Sequence, residues 1–407
     1  MTARPARLGL FGILGSGNSG NDASMETVLA YFRTEHPDVV LDAMAGGKPE
    51  ALKAQWDLDA TPLYWFTQFE DRATRVPEPV LKAIGKGLDI ARVANWVRKH
   101  DAVIVPGAGP LEATLPQNAW GFPFQLLVLS ASGKLLGTKV AFVSVGAEII
   151  KYKTTRWLSD ATARLAYYRS YRDQNSWESM RDRGHDVARD RIFPDLVFGV
   201  PEPPYEAGDP KVVGLGVMNY FGGNNDKDRG EEIHADYIAK MTEFATWLVD
   251  NGYELRVFGG DAKYDWDIAR LIIANVRTER PGLPEQALAT KELGSYAELM
   301  EYMNGCGTIV ATRYHNVMCS LKLCKPTIAL GYSRKFVALI GDMGLGDFNM
   351  YADRIEVDKL TEMFRQLDKR RDELTSRMKE RTAANHRALA EQFALLASTL
   401  LPARARS

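Results

Sequence analysis

The chain has 407 residues, 45% hydrophobic and 25% charged, with a formal net charge of -1. This length suits two or three domains, each with its own core, and the composition excludes a disordered chain. The near-neutral balance excludes a global polyanion-binding field, so no nucleic-acid partner is expected and an anionic ligand must be met by local basic residues.

Three cysteines, Cys306, Cys319 and Cys324, form no CxxC spacing. Buried thiols are therefore expected, with neither a disulfide framework nor a metal site. The polar start passes directly into Leu8-Gly-Leu-Phe-Gly without the apolar length of a signal peptide. The most apolar stretch, 122–150, is interrupted by Lys134 and Lys139, so no transmembrane segment is expected. A cytoplasmic protein is the expectation.

In chain order, short apolar runs read as strands at 8–14, 39–42, 102–106 and 139–145. Between them, helical spacing predicts helices over 23–36, 81–99 and 125–136, and a further helix over 156–172. A strand follows at 190–193. The proline-rich run from Val200 to Pro210 reads as a linker, since proline continues neither a helix nor a central strand. The pattern restarts with strands at 212–217, 255–258, 309–312 and 327–330 and a helix at 235–251. A charged helical tail covers 360–401. The alternation of strand and helix predicts an α/β fold with parallel sheets, built as two Rossmann-like halves.

Three glycine turns follow strands in the first half. The first, Gly12 to Ala23, contains Gly15-Ser-Gly-Asn-Ser-Gly, a formal match to the dinucleotide fingerprint, with Asp42 spaced to hold a ribose. This keeps an NAD-linked oxidoreductase among the alternatives. Asn18, Asn21 and Asp22 add side chains able to bind hydroxyls. The second turn is Pro106-Gly-Ala-Gly and the third Ser144-Val-Gly-Ala. Loops at the carboxyl ends of parallel strands converge on one ligand edge. In the second half, the 220–225 loop with Gly222-Gly-Asn-Asn is a further candidate lining.

Two later stretches are more specific. One is Tyr171-Arg-Asp-Gln-Asn-Ser running to Phe193-Pro-Asp. The other is Thr312-Arg-Tyr-His-Asn followed by Lys325-Pro-Thr, Tyr332-Ser-Arg-Lys and Met343-Gly-Leu. Together with the glycine turns, in this order and from about Gly9 to Phe348, the chain resembles the polysaccharide pyruvyl transferase family. The resemblance implies a GT-B-like fold: two facing Rossmann-like domains, 1–199 on the acceptor side and 200–358 on the donor side. A helical tail, 359–407, would cross back to the N-terminal domain. It implies phosphoenolpyruvate as co-substrate, no other cofactor, and a saccharide or lipid-linked oligosaccharide acceptor from cell-envelope or exopolysaccharide synthesis. Peripheral membrane association is compatible with such an acceptor. The positions matching the family's donor site are Arg172, Arg313, His315 and Lys335. The acceptor side maps to Gly17, Asn18, Gly20 and Asp22, with Gly107 and Gly109. The acidic position of the family's Gly-Asn-x-Gly-Asp loop is filled by Asn21, with Asp22 one residue later.

The chemistry accounts for these residue types. Phosphoenolpyruvate packs a carboxylate and a phosphate on a small frame, and arginine forks suit both groups. Arg172, Arg313 and Lys335 would hold it, aided by the Ser176 or Ser333 hydroxyls. Ketal formation needs a proton at C3, and His315 is the natural donor because imidazole exchanges protons near neutral pH. Extended backbone at 313–315 would aim Arg313 and His315 to one side. Each residue has an alternative: an ion pair with Asp173 for Arg172, a solvent-facing position for Lys335, and a cap on the following helix for His315. A nucleotide-sugar glycosyltransferase on the same frame, and a saccharide-binding protein without activity, complete the alternatives.

Overall fold

The computed structural model describes residues 4–66, 78–112, 118–222, 227–260 and 265–402. It divides into two compact units, Met1–Val200 with Arg387–Ser407, and Pro201–His386.

The first unit alternates strand and helix. β1 (Arg7–Gly12), α1 (Ser19–Glu35), β2 (Val40–Ala45), α2 (Pro49–Trp56), β3 (Ala60–Pro62) and α3 (Glu78–Val97) come first. β4 (Ala102–Pro106), α4 (Phe122–Leu136), β5 (Lys139–Val145), α5 (Lys153–Leu165), β6 (Tyr168–Tyr171), α6 (Gln174–Asp182) and β7 (Arg191–Ile192) follow. The strands form one parallel sheet in the order β3-β2-β1-β4-β5-β6-β7. The order reverses between β1 and β4, where crossovers leave in opposite directions and open a crevice at the carboxyl edge. The strands read as continuous apolar runs because both faces are covered: β4 and nearly all of β5 are buried.

The second unit repeats the plan with β8 (Asp209–Val217), α7 (Gly230–Asp250), β9 (Glu254–Gly259), α8 (Trp266–Glu279), β10 (Leu288–Thr290), α9 (Tyr296–Asn304) and β11 (Cys306–Ala311). It ends with α10 (Tyr314–Lys322), β12 (Thr327–Gly331), α11 (Arg334–Asp342), β13 (Asn349–Tyr351) and α12 (Val357–Lys369). Its parallel sheet runs β10-β9-β8-β11-β12-β13. The three cysteines are free and buried.

Two expectations change. The helix read over 156–172 stops at Leu165, and Tyr168–Tyr171 is a strand. Leu165, Tyr168 and Tyr171 continue a three-residue spacing, which mimics a helix, but Ala166 turns extended and Ser170 and Tyr171 are buried in the sheet. The tail also does not stand apart as 359–407. Phe364 of α12 packs edge-on against Phe244, Trp247 and Tyr253 of the second unit. In α13 (Arg371–Leu400), Phe393 stacks on Tyr31 of the first unit at 4.7 Å. Each stretch follows its apolar contacts.

Among the described residues no helix is long and apolar enough to cross a membrane.

Candidate active site

In the first unit the glycine loop after β1 is closed by its own side chains. Asn18 caps α1, its amide oxygen accepting from Asn21 N at 3.3 Å, and Asn21 Nδ2 donates to Ile13 O at 3.2 Å. Asp22 accepts from Gly15 N at 2.6 Å and from the amides of Gly17 and Ser16. Gly15 and Gly17 are left-handed, with φ of 65° and 82°, which turns these amides inward. Burial pushes the Asp22 carboxyl up to about 6 despite the amide bonds. Gly20 is buried in the first turn of α1.

This geometry disposes of the dinucleotide reading. The nest that would take a pyrophosphate holds the Asp22 carboxylate instead. Asp42 is not at the end of β2 but within it, opposite Gly9. Its carboxylate meets His100 Nε2 at 2.9 Å, Trp96 Nε1 at 2.9 Å and Arg7 Nη2 at 2.8 Å. Burial alone would raise that carboxyl, but these partners outweigh it and hold it below the usual range.

Further along the same edge, Arg172 follows β6 and is ringed by carboxylates. Glu112 lies 2.5 Å from Nη2, Asp195 3.5 Å from Nη1 and Asp173 3.5 Å from Nε. Burial pushes the Asp195 carboxyl up against the pull of Arg172. A side chain at Gly146 would collide with Glu112 and Arg172, and one at Gly109 with Glu112. Gly107 is left-handed and its neighbour Ser24 leaves no room for a Cβ. Ala108 and Ser144 hold positive φ without being glycine, at 58° and 49°, at the ends of β4 and β5. Such strain concentrates at functional edges. Ser176 is buried in α6, its amide held by the cap residue Asp173 at 2.7 Å.

The second unit gathers Arg313, His315, Lys335 and Ser333. Arg313 caps α10, and His315 is the second residue of that helix. The two reach one edge through the helix start, not through alternation in an extended chain. Arg313 Nε and Nη2 grip Asp265 at 2.7 Å each, and Asp265 is completely buried. Asp265 also accepts from Asn219 N at 2.9 Å and Gly260 N at 3.1 Å, tying the ends of β8, β9 and β11 together. Ser333 occupies the N-cap position of α11, but its hydroxyl makes no capping bond and is buried without a hydrogen-bond partner among the described residues. Lys335 Nζ sits 4.8 Å above the Tyr314 ring, which also meets His315 and Phe336. β11 and β12 are paired, so α10 and α11 start side by side. Two helix starts, an arginine, a lysine and a hydroxyl thus stand on one edge, a combination of the kind that suits an anion.

Sequence reasoning missed Asp265, Glu112, Asp195 and Asn316. Asp265 lies 48 positions from Arg313, and no local pattern links the two. Asn316 stood next to His315 in the quoted motif; its amide is fully buried against Gly216 and Gly260, with no partner among the described residues. Of the 220–225 loop, residues 223–225 lie outside the described residues. Among the described residues no group of three or more His, Cys, Asp or Glu is arranged to hold a metal.

Comparison with solved structures gives a GT-B fold. A candidate UDP-N-acetylglucosamine 2-epimerase from Listeria monocytogenes matches with a TM-score of 0.61 at 11% identity, covering 97% of both chains. The UDP-N-acetylglucosamine 2-epimerase of Neisseria meningitidis, bound to UDP-GlcNAc, matches with a TM-score of 0.57 at 10% identity, over 97% of this chain and 100% of that one. The lipopolysaccharide outer core galactosyltransferase WaaB, in its apo form, gives 0.57 at 11%, over 96% and 99%. No curated protein matches the sequence. A family model described as polysaccharide pyruvyl transferase matches residues 18–334.

Proposed function

The chain belongs to the polysaccharide pyruvyl transferase family, and from that premise we propose that it moves pyruvate from phosphoenolpyruvate onto two hydroxyls of a cell-envelope or exopolysaccharide precursor. The observation that carries this reading is the assembly of Arg313, Lys335, Ser333 and His315 at two adjacent helix starts, with Arg313 braced by buried Asp265. The arginine and lysine neutralise the donor's carboxylate and phosphate, and helix N–H groups add to the cradle. His315 gives a proton to C3 of the enol as one sugar hydroxyl oxygen bonds to C2. The C2–O bond to phosphate then breaks, and the second hydroxyl oxygen closes the ketal. One hydroxyl proton replaces that spent by His315; the other leaves with phosphate. No cofactor beyond phosphoenolpyruvate enters this scheme. The reaction runs in the cytoplasm, where the donor is made.

Phosphoenolpyruvate should raise the melting temperature, whereas NAD and UDP-sugars should not. At one hundred times Kd the gain is about 2.7 kcal/mol. A shift with UDP-sugars alone would replace the proposal by a nucleotide-sugar transferase, the reading that the fold relatives favour. His315→Gln should fold and bind phosphoenolpyruvate but turn over roughly 10²–10⁴-fold more slowly. Normal single-turnover rates in that variant would remove His315 from the chemistry.

A further inference from the structure

The start of α5 carries a surface that the transferase chemistry does not use. After β5 (Lys139–Val145), the half-buried Glu148 is followed by Ile149-Ile-Lys-Tyr-Lys-Thr-Thr-Arg-Trp157, a run with no carboxylate of its own. Ile150 and Thr155 are buried and anchor the segment. Ile149, Tyr152 and Trp157 are 65%, 63% and 62% exposed, and Lys151, Lys153 and Arg156 are exposed among them. The charges are at the wrong end for the helix: α5 has no acidic residue in its first turn, where its dipole favours one and disfavours a cation. Among the described residues, Arg156 offsets this with a 3.6 Å contact to Asp160.

The neighbouring helices of the same layer also expose apolar residues. α4 packs between α3 and α5. Trp120, just ahead of α4, is 56% exposed and lies 5.7 Å from Phe124. On α3, Val80, Ile84 and Leu88 are exposed at four-residue steps, one stripe of the helix. Isolated exposed apolar residues need no explanation. Tryptophan and tyrosine interleaved with lysine and arginine, however, have the composition of a membrane interface, where amphipathic rings sit at headgroup level and cations meet anionic lipid.

We propose that this end of the α3–α4–α5 layer docks the protein on an anionic bilayer. Trp157, Tyr152, Ile149 and Trp120 enter the interface, and Lys151, Lys153 and Arg156 meet lipid phosphates. The surface shares the carboxyl edge of the first sheet with the glycine loops assigned to the acceptor. A lipid-linked saccharide would therefore meet those loops as soon as the protein docks. That last step rests on the transferase reading; membrane docking does not.

The test is sedimentation of the full chain with phosphatidylcholine vesicles, with and without phosphatidylglycerol, in the absence of both substrates. Binding is expected only with phosphatidylglycerol. At about fivefold per cation near an anionic surface, the triple variant Lys151→Gln, Lys153→Gln, Arg156→Gln should bind about a hundredfold more weakly. Trp157→Ser should weaken binding even at high salt, with melting unchanged in both variants. Absence of binding by wild type, or equal binding to neutral vesicles, would overturn the proposal. So would a wild-type dimer in light scattering that Trp157→Ser dissolves, since a second copy would then occupy the surface. Vesicle binding without turnover would leave the docking intact and remove only the transferase reading.

Discussion

Asp265 gives Arg313 its direction. A guanidinium on a flexible stem costs entropy to hold in one pose, and a two-point bond to a buried carboxylate fixes that pose before any ligand arrives. Asp265→Asn keeps the shape but removes the charge and one acceptor. Breaking a buried pair costs about 3–5 kcal/mol; with Arg313 partly exposed, the lower end is expected in denaturant unfolding. Phosphoenolpyruvate affinity should fall as well, although Asp265 bears no charge that could attract the donor. Unchanged affinity in the folded variant would show that Arg313 needs no brace. Asp22 offers a second residue-level test. Its folded carboxyl titrates at about 6, above the ordinary 3.8, so between those values the folded chain holds the proton more tightly than the unfolded chain. This contribution to stability is full below pH 3.8 and is lost as pH rises towards 6, with a slope of at most about 1.4 kcal/mol per pH unit. Asp22→Asn should flatten that part of the urea-midpoint profile; an unchanged profile would assign the slope elsewhere.

At the scale of elements, α13 completes the first sheet from the far end of the sequence. Gln392 is fully buried, and its Nε2 donates to Ser144 Oγ and Ser170 Oγ at 2.9 Å each. Ser170 Oγ in turn accepts from Ser144 N, which holds the left-handed bulge of β5 in place. Gln392→Leu leaves two buried hydroxyls without this partner. A loss of about 1–3 kcal/mol is expected, a fall of several degrees in the calorimetric transition of the first unit. A transition that does not move would mean that the bulge holds itself. These elements also mark what the sequence discloses. Long amphipathic helices such as α1 and α7, and buried strands such as β4 and β5, were legible because period and apolarity agree. β6 was not, because its tyrosines continue the helical spacing of α5. Arg313, His315 and Lys335 could be named as candidates because the motif keeps them close in the chain. Glu112, Asp195 and Asp265 were missed because each meets its arginine across the fold. Asn18 and Asp22 were read as able to bind hydroxyls, yet much of their hydrogen bonding closes the loop itself.

At the scale of the whole molecule, each unit carries an arginine set on buried or nearly buried carboxylates at the carboxyl edge of its sheet: Arg172 on Glu112 and Asp195, Arg313 on Asp265. The second unit is continuous in sequence, whereas the first is assembled from Met1–Val200 and Arg387–Ser407. A chain ending at His386 should therefore keep the calorimetric transition of the second unit. It should lose or sharply lower that of the first, since Phe393 no longer covers Tyr31 and Gln392 no longer reaches β5. Two intact transitions in the shortened chain would refute this division of labour.

The split has a consequence in time. On the ribosome the Met1–Val200 part of the first unit emerges first, yet the piece that seals it begins at Arg387. At about 5–20 residues per second, translation of the intervening stretch takes roughly 10–40 s. During that interval the nascent first unit presents the apolar seat of Phe393 uncovered, while the second unit, born later, is already complete enough to fold. The half made first is thus the half finished last, and chaperones that bind exposed apolar surface have their window on this chain there.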